Sequence, residues 1–111
     1  MTPFRSEALE NGVSVAFFDL SNRYFGDYHR VRVEVRISVL VPGQEQPLVK
    51  VRMLDRMGVP GAEVPAVRAR LADDFWINAA AYLGRADYPA RLLAAEVSPR
   101  RLTPASLLHA L

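Results

Sequence analysis

The sequence predicts an α+β domain: an antiparallel β-meander of three to four strands followed by two to three helices packed on one face. Three observations carry this. Between Arg30 and Val41 every second residue is aliphatic (Val31, Val33, Val35, Ile37, Val39, Val41) and alternates with Arg30, Arg32, Glu34, Arg36 and Ser38. Successive strand side chains point to opposite faces, so this run has one dry and one wet face. From Val64 onward apolar residues instead recur every three to four positions, as Val64, Val67, Leu71, Phe75, Ala79 and Tyr82, which is the stripe of a helix. Gly58, Pro60 and Gly61 punctuate the change of period.

Taken in order, Phe4 to Glu10 reads as a short first strand and Val13 to Leu20 as a second. Asn11-Gly12 between them is a strong hairpin signal, expected as a type I′ turn with both central residues at positive φ. Ser21 to His29 reads as a loop into the long strand. Pro42-Gly43-Gln44-Glu45-Gln46-Pro47 is the next turn. Leu48 to Leu54 fits a returning strand, with Val49, Val51 and Met53 on one face, and fits a helical turn through Leu48, Val51 and Leu54. The strand is preferred, because the long strand needs a hairpin partner. Pro65 suits the first turn of a helix that Gly84 ends, and Asp87 suits the cap of a second helix from Tyr88 to Val97, stopped by Pro99. Thr103-Pro104 repeats the cap-then-proline signal for a short third helix or tail over 103–111. The whole, residues 1–111, reads as one domain, with strands over about 4–57 and helices over about 62–98.

Composition narrows the function classes. Half the residues are hydrophobic and 23% are charged, as in ordinary globular domains. Without cysteine there is no disulfide, thiol nucleophile or thiolate metal site. The two histidines, His29 and His109, have no ligand spacing, so neither a metal nor a cofactor is expected. No phosphate loop, dinucleotide fingerprint or nucleophile elbow occurs. No apolar run approaches the roughly 20 residues of a membrane helix and no signal peptide opens the chain, so a cytoplasmic protein is expected. The net charge of +2 is uneven: residues 30–56 are basic and residues 1–29 acidic.

Four features could carry function. The loop around Arg23, Tyr24, Asp27 and His29 gathers binding-site residue types. His29 could act as a general base oriented by Asp27, although aromatics capping a core edge beside solvated charges explain the same residues. Arg30, Arg32 and Arg36 share one side of the long strand, and Lys50, Arg52 and Arg56 one side of the next. In a suitable register all six would form an anion- or nucleic-acid-binding surface, though Glu34 interrupts the row and a solvated face is the simpler account. The end of the first helix, from Phe75 to Leu83, is apolar nearly all round, so Trp76, Ile77 and Ala80 need cover from the second helix or from another subunit. Leu107 and Leu108 form a small apolar edge on the tail, able to dock on the domain or on a partner.

The segment Arg56-Met57-Gly58-Val59-Pro60-Gly61-Ala62-Glu63-Val64, followed by Asp73-Asp74-Phe75 and Tyr82-Leu83, resembles small uncharacterised bacterial proteins. With Asn11-Gly12 and Tyr24-Phe25-Gly26-Asp27 the resemblance spans most of the chain. It implies a compact cytosolic domain and brings no activity or catalytic residue.

The sequence thus points first to a non-enzymatic interaction or regulatory module, homodimeric through the helix end and through an overhang of the long strand. That strand spans about 40 Å, more than either neighbour visibly offers to pair. Anion or nucleic-acid binding by the basic face and a small enzyme built on Asp27 and His29 are the alternatives.

Overall fold

The computed structural model describes residues 2–95. Its centre is the long strand β4 (Tyr28–Val39). Strands β2 (Val13–Asp19) and β3 (Asn22–Phe25) both pair antiparallel with β4, β2 along Val33–Val39 and β3 along Tyr28–Arg30. Strand β5 (Leu48–Pro60) pairs with β4 from Tyr28 to Val39, so β2 and β3 lie end to end along the other edge. Strand β1 (Arg5–Ala8) adds outside β2. All pairings are antiparallel, and helix α1 (Val64–Leu83), entered through a 3₁₀ turn over Gly61–Glu63, crosses one face. A second helix, α2, begins at Tyr88 and continues through the last described residue.

The predicted α+β architecture is present, and its fifth strand is β3, within the expected loop. Ser21 explains why a loop-like sequence joins the sheet. The chain breaks pairing after Asp19, the Leu20 N–H donates to the Arg32 carbonyl, and the Ser21 hydroxyl accepts the Arg32 N–H. The side chain thus supplies the acceptor that a regular strand would take from backbone.

The expected overhang of β4 is absent. Strand β5 extends past Leu54 to Pro60, through a bulge in which Met57 and Gly58 oppose Arg30, and covers the whole of one β4 edge. On this side of β4 the open edge therefore belongs to β5.

Val13, Val15, Phe17, Val31, Val33, Val35, Ile37 and Val39 are buried on the helix side of the sheet. Each such side chain contributes about 1.5–3 kcal/mol on burial. Ala72, Phe75, Trp76, Ala79 and Leu83 of α1 pack onto them, with the Phe75 ring edge-on to Phe17 at 5.9 Å. The expected helical stripe is rotated slightly: Leu83 is buried, while Tyr82 is half-exposed and meets the Tyr88 ring at 5.3 Å. Two cross-element ion pairs hold α1 to the sheet, Arg68 to Asp19 and Arg5 to Asp73. Asp73 therefore serves β1 rather than its helical neighbour Arg70.

Two of the three hairpins pin opposite ends of the helix. At the first, Leu9 N–H bonds the Val13 carbonyl around a three-residue loop in which Gly12 alone takes positive φ, at 86°. This is a type I turn closed by a left-handed glycine rather than the expected type I′ turn. Asn11 keeps negative φ. Its Nδ2 donates to the carbonyls of Leu83 at 2.7 Å and Arg85 at 2.8 Å, closing the C-terminus of α1. Asp87 precedes α2 as expected, but its carboxylate pairs with Arg85 and Arg91.

Candidate functional site

The other hairpin, between β3 and β4, carries Asp27 and His29. The Asp27 carbonyl accepts the Gly61 N–H at 3.1 Å, and its carboxylate lies 3.3 Å from the same nitrogen. The His29 Nε2 sits 3.9 Å from the carboxylate, beyond hydrogen-bond reach. Gly61 sits close beneath this carboxylate: a Cβ there would stand 2.6 Å from the Asp27 Oδ1 and 3.1 Å from the His29 Nε2, so a side chain at 61 would displace the exposed Asp27 carboxylate. Asp27 thus clasps the entry to α1, with its carboxylate turned to backbone rather than aligned on an imidazole. Arg23 pairs in register with His29, and Tyr24 is half-exposed with its hydroxyl near Gly58. No cluster of three potential metal ligands exists among the described residues.

Sheet register decides the basic surface. Directly opposed residues share a face. Val31, Val33, Val35 and Ile37 oppose Arg56, Leu54, Arg52 and Lys50, so these β5 residues lie on the helix side. Arg32, Glu34, Arg36 and Ser38 oppose Asp55, Met53, Val51 and Val49 on the outer side. The six-cation surface that a suitable register would have given does not form: Arg30, Arg32 and Arg36 are on one face, and Lys50, Arg52 and Arg56 on the other. A strand's period of two makes this all-or-none, since moving the register by one residue would exchange the faces.

On the outer face each arginine has an acid beside it. Arg30 Nε bonds Asp55 at 2.8 Å, Arg32 Nε lies 3.9 Å from the same carboxylate, and Arg36 Nε bonds Glu34 at 2.6 Å. Arg36 also lies over the Phe18 ring, 4.5 Å from its centroid, leaving Phe18 only 7% exposed. Glu34, an interruption of the basic row in the sequence, neutralises and flattens Arg36. Beside these pairs Val49, Val51 and Met53 stay 51%, 48% and 37% exposed. No described element covers this face.

On the helix side Lys50, Arg52 and Arg56 make no ion pair with another described residue. Beside Arg52, between β5 and α1, lies a groove of about 410 Å³ walled by Arg52, Leu54, Leu71, Phe75 and Asn78, with Asp74 at its side.

The expected interface residues separate. Trp76 packs against the core and Ala80 is half-buried, whereas Ile77 is 74% exposed. Leu107 and Leu108 lie outside the described residues. The open face of β5 escaped the sequence reading because both parities of that strand hold apolar residues, Leu48 and Leu54 on one, Val49, Val51 and Met53 on the other. Nothing local says which set α1 covers.

No helix among the described residues is long and apolar enough to cross a membrane. No family model matches the chain, and no curated protein or solved structure matches it either.

Proposed function

We propose that the chain is a non-enzymatic interaction module that self-associates through the outer face of its sheet. The observation that carries this is the apolar row Val49, Val51 and Met53, left half-exposed beside Arg30 and Arg36, which are paired with Asp55 and Glu34. A charged face built for anions would keep its cations free; here Arg30 and Arg36 are paired, so covering the face costs less than burying unpaired cations would. Four strand positions about 4.8 Å apart and about 12 residues long give a face on the order of 700 Å², close to the roughly 800 Å² each partner contributes to a standard interface. Its paired charges of both signs suit a two-fold arrangement, in which each patch meets its own copy.

Light scattering at tens of micromolar tests the reading: a dimer is expected. Val51→Asp, on an exposed position of an edge strand, should leave the far-ultraviolet circular dichroism unchanged and yield a monomer. A parent protein that is monomeric, or a Val51→Asp variant that stays dimeric, would overturn it. Nucleic-acid binding has lost the joint six-cation surface on which it rested.

A further inference from the structure

The open edge of β5 carries a second, separate recognition chemistry. The Arg32 N–H and carbonyl are bonded to Ser21 and Leu20, and the Leu40 N–H to Gly12, so even-numbered residues of β4 direct their backbone toward β2 and β3. Odd-numbered residues therefore bond β5, through Leu48, Lys50, Arg52, Leu54 and Arg56. It follows that Val49, Val51, Met53 and Asp55 direct their N–H and carbonyl groups outward, and β5 has no partner on that side among the described residues.

A backbone row of this kind is a template for one more strand. What the strand must look like is set by the two faces. On the helix side it would run beside Lys50, Arg52 and Arg56, which no described acid neutralises. On the outer side it would run beside Val49, Val51 and Met53. Cross-strand neighbours lie about 4.5–5.5 Å apart, so each of its side chains meets one of these rows directly. A second copy of β5 is a poor occupant, because two-fold pairing places the cationic row against itself. We propose that this edge captures an extended segment of alternating acidic and apolar residues as a sixth strand. Its carboxylates face the Lys50–Arg52–Arg56 row, with the groove beside Arg52 giving them room. Its apolar side chains extend the outer face. Asp74 on the groove wall is the opposing charge on the facing element, and Arg70 one turn earlier on α1 also lacks an ion pair with any described residue.

The probe is a short labelled peptide alternating glutamate and valine, followed by fluorescence anisotropy on the full chain. Binding is expected, with new hydrogen-exchange protection at the amides of Val49, Val51 and Met53. The same peptide N-methylated at alternate amides should not bind. The double variant Lys50→Glu with Arg52→Glu should bind the glutamate peptide at least about tenfold more weakly and should prefer a lysine-valine peptide. Those two substitutions lie on the helix side, so the mass in light scattering should not change, which separates this test from that of the outer face. Equal binding of the lysine and glutamate peptides, no protection along β5, or no binding of the glutamate peptide would each overturn the proposal.

Discussion

Asn11 offers the sharpest test of how the fold is held together. Its amide donates to two carbonyls at the end of α1, at 2.7 and 2.8 Å, while its Oδ1 lies 3.3 Å from the Val13 N–H. Asn11→Ala removes both donors and leaves the Leu83 and Arg85 carbonyls to water. Each hydrogen bond contributes a net 0.5–1.5 kcal/mol or so, and the partly wet site favours the low end, so a loss of about 1–2 kcal/mol is expected. For a domain of this size about 1 kcal/mol moves Tm by roughly 4–8 °C, which gives a fall of about 5–15 °C. Urea unfolding followed by circular dichroism should show a lower midpoint with an unchanged slope. Asn11→Asp adds a sign. An ionised carboxylate facing two carbonyls at the negative end of a helix dipole is repelled, so this variant should be less stable than Asn11→Ala at neutral pH. Its carboxyl would be raised in the folded state, so the penalty grows as pH rises through that folded value and is relieved below the ordinary carboxylate range. An Asn11→Ala variant within about 0.3 kcal/mol of the parent, or an Asn11→Asp variant as stable as the parent at neutral pH, would refute the clamp.

Two further expectations concern the other end of the helix and the sheet-to-helix ion pairs. Burial alone would push the Asp19 carboxyl up, but the Ser21 hydroxyl and N–H and the Arg68 guanidinium outweigh it and hold the carboxyl below its ordinary value. Its stabilising effect is therefore present above the ordinary carboxylate range and lost as pH falls through the lower folded value. Asp19→Asn should cost about 0.5–1 kcal/mol at neutral pH, kept small by solvent screening, and the two proteins should converge in acid; parallel acid-unfolding curves would contradict this. Gly61→Ala should displace the Asp27 carboxylate and cost about 1 kcal/mol, and a double-mutant cycle with Asp27→Ala should show coupling rather than additivity.

Much of the architecture was legible in the residues themselves. The period of two from Arg30 to Val41 and the period near 3.6 after Val64 arise from local geometry, and both appear as β4 and α1. The punctuation was legible too, since Pro65 and Gly84 bracket α1 as expected. The extra strand was not, because Ser21 joins β3 to the sheet through a bond to Arg32, eleven residues on in the chain. Nor was the second use of Asn11, whose turn chemistry could be read locally while its bonds to Leu83 and Arg85 depend on where α1 ends in space.

The candidate site marks the boundary most clearly. By itself the sequence determined that β4 has a dry face and a face rich in arginine, because side-chain alternation belongs to a single strand. Tertiary structure alone decided which face of β5 joins it. The β4–β5 register sets Lys50, Arg52 and Arg56 beside the helix and Val49, Val51 and Met53 in the open. It also brings Asp55 to Arg30, so that face carries apolar side chains beside ion pairs. Register is a relation between two chain segments, set by the turn that joins them and by which faces are buried together, and neither strand encodes it alone.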